Sequence, residues 1–233
     1  DFIAYEQAAE GQIVAITLAP EMDPGHTLIR YCKEKNIVVS MGHSDALFDQ
    51  TLEAMNNGAI SVTHVYNGMA KYINREPGLL GAAWRLDGLY SELIADGIFV
   101  SLVSAANLFH VKNDDYVIMI SDSMKAKGEA PGRYMFGGEP MLLGDDSATR
   151  RENGVLVGST LQLNRGLYNM VERAMVPFSS ALKSCTINPA RLLGIDDRKG
   201  KLQRGYDADI VVLEDSYQVN TTFCKGIISA CMC

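Results

Sequence analysis

Apolar residues come in short runs along this chain, and each of the first five runs ends on a polar residue. Residues 13–18 (Ile-Val-Ala-Ile-Thr-Leu) are nearly all apolar and end at Ala19-Pro20-Glu21. Residues 37–41 end at Gly42-His43-Ser44, residues 59–63 at His64, residues 89–95 at Asp96-Gly97, and residues 116–120 at Ser121-Asp122. Runs this short and this apolar suit parallel strands buried on both faces. Between them the apolar spacing turns helical. Asp23-Pro24 supplies a cap and a first-turn proline for a helix that Asn36 stops. Ser44 is expected to cap a second helix, with Leu47, Phe48, Leu52 and Met55 on its apolar face and Gly58 ending it. Residues 101–111 read as a third helix, and residues 1–10 as the tail of another.

The polar strand ends Glu21, His43, His64, Asp96 and Asp122 are separated by 22, 21, 32 and 26 residues. That is roughly the length of a βα unit, so each strand returns through a helix or loop to start again at the same end. Active sites of (β/α)₈ barrels are built at this carboxyl end, but a doubly wound sheet uses the same end. Periodicity does not separate the two, and five units are too few to close an eight-stranded barrel.

The pattern then changes. Residues 72–81 read as a loop carrying Arg75. Residues 126–158 are rich in Gly and charge and read as loops and short hairpins, with 134–136 pairing 141–143. Helical spacing returns over 161–175 and 180–193. Two strand-like runs, 209–213 and 223–229, follow a charged segment. The expected division is a partial barrel over residues 1–196 and strands of a small β-unit over 197–233.

Composition narrows the function classes. The chain has 233 residues, 47% of them hydrophobic and 21% charged, which suits a soluble globular α/β protein. A net charge of −7 without a basic stripe argues against nucleic acid as partner. No apolar run reaches the ~18 residues of a membrane span, and no secretory leader opens the chain. The cysteines, 32, 185, 224, 231 and 233, are odd in number and match no zinc-ribbon spacing. They read as reduced thiols of a cytoplasmic protein.

His43 and His64 close adjacent strands about 5 Å apart, so both imidazoles can converge on one ion such as zinc. Asp122 can take a proton from water and later deliver it to a leaving group, or it can cap the following segment. Asp96-Gly97 reads as a turn. Glu21 is placed either to ligate an ion or to accept a backbone amide. Asn67 and Arg75 lie just past the second histidine, and an arginine fork suits phosphate or carboxylate.

Taken together, the motifs resemble one family. Thr17-Leu18-Ala19-Pro20-Glu21, Gly42-His43-Ser44, Thr63-His64-Val65-Tyr66-Asn67-Gly68-Met69 and Arg75-Glu76-Pro77-Gly78-Leu79-Leu80-Gly81-Ala82 stand in order. Ala95-Asp96-Gly97, Ser121-Asp122-Ser123-Met124, Gly158-Ser159-Thr160-Leu161 and Asn188-Pro189-Ala190-Arg191 follow. This series is similar to the N-acetylglucosamine-6-phosphate deacetylases of the amidohydrolase superfamily. The resemblance implies an α/β fold: a (β/α)₈ barrel of the TIM type with a small β-sandwich. It implies hydrolysis of the acetamide of N-acetylglucosamine 6-phosphate, with a divalent metal, zinc foremost, as cofactor. It makes His43 and His64 metal ligands and Asp122 the catalytic acid and base. It assigns Asn67 and Gly68 to the sugar, Arg75 to the phosphate (in some members across a dimer interface), and Leu156, Val157 and Gly158 to further substrate contacts. A homodimer is expected.

Two departures shape the expectation. The family's His-x-His and His-Leu-Glu-Gly-Pro motifs, the latter holding the third metal-ligating glutamate, do not occur in this sequence. The match therefore covers roughly the last three-fifths of the pattern, and the chain alone is expected to bind zinc weakly and turn over slowly. The family reads Ala-Asp-Gly-x-His where this chain has Ala95-Asp96-Gly97-Ile98-Phe99, so one polar substrate contact is replaced by an apolar ring. A catalytically impaired homologue that binds sugar phosphate or serves as an assembly subunit, and an amidohydrolase acting on another amide, remain as alternatives.

Overall fold

The computed structural model describes residues 2–146 and 148–231, with the side chains of Ala230 and Cys231 left aside. After a short helix α1 (Phe2–Ala8), the chain alternates strand and helix. The order is β1 (Ala15–Leu18), α2 (Thr27–Glu34), β2 (Val38–Met41), α3 (Phe48–Asn57), β3 (Ala59–Val62), α4 (Gly78–Arg85), β4 (Tyr90–Ile94), α5 (Leu102–Val111) and β5 (Val117–Ile120). These five strands form one all-parallel sheet in the order β1-β2-β3-β4-β5. A doubly wound sheet reverses its strand order at a switch point. Strictly sequential order is instead consistent with an arc of a TIM-type barrel.

One face of the sheet packs on the covering helices; the other is mixed, with Ile94 and Ile118 beside its polar side chains. Val39, Met41 and Val62 pack with Ile29, Cys32, Ala54 and Leu79 of the covering helices. Leu93, Val117 and Met119 join Ala105, Leu108 and Met170 in a second cluster. The opposite face carries hydroxyls and one carboxyl: Thr17, Ser40, Ser61 and Glu92. Burial on both faces, expected for residues 13–18, is therefore not what β1 shows; its residues alternate between exposed and half-buried.

Local signals explain most boundaries. Asp23 accepts the amides of Leu28 and Ile29 and caps α2. Asn36 follows that helix with φ of 56°. Ser101 caps α5 by accepting the Ser104 amide. The start of α3 differs from expectation. Ser44 lies outside that helix and donates to Glu21, while Gln50 caps α3 by accepting the Leu47 amide. The expected loop 72–81 turns helical at Gly78. Residues 78–83 of α4 are all buried, so this helix has no polar face to give it a helical period in the sequence.

Beyond β5 the chain makes a four-stranded antiparallel sheet: β6 (Gly132–Phe136), β7 (Glu139–Leu143), β8 (Ala148–Arg151) and β9 (Leu156–Ser159). The expected hairpin is present, with Tyr134 opposite Met141 and Gly137-Gly138 at its tip. The expected helix 161–175 is α6 (Leu163–Tyr168) followed by a wider turn over Asn169–Arg173. The expected helix 180–193 is two, α7 (Phe178–Cys185) and α8 (Ile187–Leu192). Pro189 has no amide to donate to Cys185, so the helix breaks at Thr186. The buried Asn188 then pins α8 to the sheet by donating to Asp114 O and Val117 O at 2.7 and 2.8 Å.

The tail forms three antiparallel strands rather than two: β10 (Ile210–Leu213), β11 (Val219–Cys224) and β12 (Ile227–Cys231). Tyr217 ties it to the preceding helices by donating to Glu172 and accepting from Asn164. No helix of the described residues is long and apolar enough to cross a membrane. Among the described thiols, Cys32 is buried, Cys185 half-buried and Cys224 exposed; all three are free. Cys233 and the side chain of Cys231 lie outside the described residues.

Candidate active site

Three of the polar strand ends share one backbone device. His43, His64 and Asp122 have φ of 49°, 35° and 45°, the left-handed region that side chains with a Cβ seldom occupy. Each follows its strand within two residues, and each turns the chain sharply there. Such conformations cost of order 1–3 kcal/mol and persist only where surrounding contacts impose them.

The two imidazoles meet. His43 Nε2 and His64 Nε2 are 2.9 Å apart, and the rings stand edge to face at 83°. His64 is buried and His43 exposed. Burial, and then the neighbouring His43, hold the His64 pKa below its ordinary value, with the Asp122 carboxylate pulling the other way. His64 is therefore kept in the neutral form a metal ligand requires. Its Nδ1 is buried without a hydrogen-bond partner among the described residues.

This pair fits a divalent cation as two donors. A tetrahedral zinc with bonds of about 2.05 Å would space its nitrogens roughly 3.3 Å apart. The rings would need to part by only a few tenths of an ångström. Among the described residues there is no group of three or more His, Cys, Asp or Glu side chains that could hold an ion, so His43 and His64 form a partial ligand set.

The loop after β3 lies directly against the pair. A Cβ on Gly68 would come 3.0 Å from His43 Nδ1 and 3.4 Å from His64 Cε1, and its φ is 56°. Gly68 O accepts the Ser44 amide, joining the two histidine loops. Asn67 turns its amide onto His64 O and Val65 O at 3.3 and 3.4 Å. Glu21 stands on the other side of Ser44 and accepts from its hydroxyl at 2.6 Å and from the Asp45 amide at 2.8 Å. It thus takes the backbone-binding role, not that of a ligand.

Asp122 is exposed, and its side chain makes no hydrogen bond among the described residues. Its backbone carbonyl accepts the Ser159 amide at 3.0 Å, and Ser159 O accepts from Met124 at 2.8 Å. The four-stranded excursion therefore leaves from Asp122 and returns beside it. Gly158 permits this, since a Cβ there would lie 2.2 Å from Met124 Cγ. Leu156 and Val157 are half-buried on β9. Arg75 is exposed at the tip of the 73–76 turn and has no hydrogen bond or ion pair among the described residues.

Asp96 behaves as a turn residue. Its Oδ1 accepts the amides of Ile98 and Phe99 at 2.8 and 2.9 Å. Phe99 packs against the second apolar cluster. A cleft of about 860 Å³ has Asp96, Ser159 and Arg165 in its wall but contains neither histidine nor Asp122.

One group escaped the sequence reading. Glu92, in the middle of β4, accepts from Ser61 at 3.0 Å and from Ser40 at 3.5 Å. Burial raises its pKa, the two hydroxyls oppose this, and the Asp122 charge adds to it. A lone carboxyl inside the apolar run 89–95 was its sequence signal.

The chain is similar to known proteins in both sequence and fold. A sequence model of the amidohydrolase family matches residues 2–228. The N-acetylglucosamine-6-phosphate deacetylase of Bacillus subtilis (strain 168) is 40% identical over 98% of this chain and 57% of its own length. The N-acetylgalactosamine-6-phosphate deacetylase of Escherichia coli O157:H7 is 35% identical over 92% of this chain and 56% of its own. The crystal structure of N-acetylglucosamine-6-phosphate deacetylase from Pasteurella multocida superposes with a TM-score of 0.92 at 28% identity, covering 98% of this chain and 60% of that one. The chain thus spans rather more than half the length of the relatives it matches.

Proposed function

The chain belongs to the amidohydrolase family, and we propose that it carries the working side of a site that hydrolyses the acetamide of N-acetylglucosamine 6-phosphate to glucosamine 6-phosphate and acetate. The observation that carries this reading is the convergence of His43 and His64 at 2.9 Å on the sheet end that also bears Asp122. The names of its relatives supply the substrate class.

His43 and His64 would hold a divalent cation, zinc by preference for paired imidazoles. When bound, that ion supplies a Lewis acid for the acetamide carbonyl. The remaining roles fall to the chain's own groups. Asp122 takes a proton from the attacking water as the new C–O bond forms. It returns that proton to the sugar nitrogen as the C–N bond breaks, so acetate and a free amine leave and the carboxylate is restored. Gly68, with no side chain, leaves room for the sugar beside the imidazoles, and Asn67, its amide nitrogen turned to His64 O and Val65 O, offers its side-chain carbonyl. Leu156, Val157 and Gly158 wall the same side. Arg75, exposed and without an ion pair among the described residues, is suited to the phosphate, reaching a partner subunit's site in a homodimer. Residues 1–196 would form part of the barrel and 197–233 part of a small β-sandwich, in a cytoplasmic protein.

The test is acetate release from three substrates at equal concentration. N-Acetylglucosamine 6-phosphate is expected to be cleaved fastest, its galactosamine epimer more slowly, and unphosphorylated N-acetylglucosamine slowest. Preference for the unphosphorylated sugar would overturn the role of Arg75. Absence of acetate from all three would overturn the activity.

A further inference from the structure

The face of the sheet turned away from the helices carries a hydrogen-bonded chain across four strands. Thr63 Oγ1 donates to Ser40 Oγ at 2.7 Å, and Ser40 Oγ donates onward to Glu92 Oε1 at 3.5 Å. Ser61 Oγ donates to the same oxygen at 3.0 Å. Thr17 and Thr63 hydroxyls lie 2.9 Å apart. A hydroxyl has one proton to give. Thr63 spends its proton on Ser40, so Thr17 is the donor to Thr63. Every proton in the chain therefore points toward Glu92, which is its terminal acceptor.

Glu92 also grips the other flank of His64. Its backbone carbonyl accepts the Val65 amide at 2.7 Å. The residue before His64 is thus tied to the Glu92 side chain through Ser40, and the residue after it to the Glu92 main chain. His64 sits between these two ties in a left-handed conformation that needs external support. Glu92 is half-buried and partly desolvated, which costs a carboxyl free energy that an apolar residue here would not lose. Packing alone gives no reason for the carboxyl.

We propose that Glu92 is a positioning residue: as acceptor of the Thr17–Thr63–Ser40 chain and of Ser61, it fixes the strand end that aims His64 at His43. The inference rests on the reading of His43 and His64 as metal ligands and extends it to the group behind them. Glu92 itself touches neither substrate nor ion.

The test compares Glu92→Gln, which keeps an acceptor oxygen, with Glu92→Leu, which removes it. Histidine side-chain ¹H–¹⁵N spectra of the metal-free protein report the His43–His64 contact, and cobalt(II) titration reports the ligand pair. Glu92→Gln should keep both imidazole signals and bind cobalt within a few-fold of the parent. Glu92→Leu should shift both imidazole signals and weaken cobalt roughly tenfold or more, the scale of groups that orient metal ligands. Thr17→Val, isosteric and at the far end of the donor chain from Glu92, serves if Glu92→Leu does not fold; it should shift the His64 signal in the same direction by less. Unchanged imidazole signals in Glu92→Leu, or in Thr17→Val when that variant must serve, would overturn the proposal, as would Glu92→Gln behaving like Glu92→Leu. If the parent takes up no cobalt, the metal reading fails, and the imidazole signals still decide the role of Glu92.

Discussion

Thr17 and Thr63 touch across a strand that separates them, their hydroxyl oxygens 2.9 Å apart, because the residue between them is Gly42. A Cβ on Gly42 would lie 2.8 Å from Thr63 Cβ and 3.1 Å from Thr17 Cγ2. The residues following Gly42 and Thr63 are the two histidines. Gly42→Ala should therefore destabilise the fold by about 1–3 kcal/mol, the scale of overpacking, and should also disturb the imidazole contact. Urea unfolding and the histidine spectra check both. An alanine variant of parental stability would show that the threonines can part freely.

Lys112 gives a prediction about pH. It is buried, and its ammonium donates to Leu86 O at 2.6 Å. Burial pulls its pKa from 10.5 down to about 8, while Asp87 acts in the opposite sense. Between those values the unfolded chain binds more protons than the folded one, so stability rises with pH across that window. The gain is complete above the unfolded value and lost as pH falls through the folded one. Measured against Lys112→Met, the parent should gain roughly 2–3 kcal/mol of unfolding free energy between pH 7 and pH 10. A difference that does not change with pH would mean that the ammonium is solvated.

Phe99 separates stability from activity. Its ring packs against the second apolar cluster, at the position where the family resemblance places a polar substrate contact. Phe99→His should lower the melting temperature, with a loss of about 1–3 kcal/mol from the vacated apolar contacts. It should also raise kcat/KM for acetate release from N-acetylglucosamine 6-phosphate. An unchanged kcat/KM would remove Phe99 from the substrate's reach.

What the sequence revealed and what it hid follow from the range of each interaction. The parallel strands β2 to β5 and their polar ends were legible because residues buried against the helices are apolar, and His43, His64 and Asp122 stand where those runs break; β1 keeps an apolar run although its residues are exposed or half-buried. The break at Thr186 was hidden because Pro189 acts four residues upstream of itself. The helix α4 was hidden because burial on all sides erases its period. The strand β11, Val-Asn-Thr-Thr-Phe-Cys, has β-favouring residues but no apolar alternation to announce it. The left-handed backbone at the three site residues, and the donor chain ending at Glu92, depend on contacts between strands that sequence spacing does not encode.

The central claim is that Asp122 carries the proton in an amide hydrolysis organised by His43 and His64. Asp122 is exposed and its side chain makes no hydrogen bond among the described residues, so Asp122→Asn should leave the fold intact. The deciding measurement is acetate release from N-acetylglucosamine 6-phosphate by the zinc-supplemented parent and by Asp122→Asn. Slow but measurable release is expected from the parent and a rate about 10²–10⁴ lower from the variant, with unchanged thermal stability. Equal rates in the two proteins, or none in the parent, would contradict the claim.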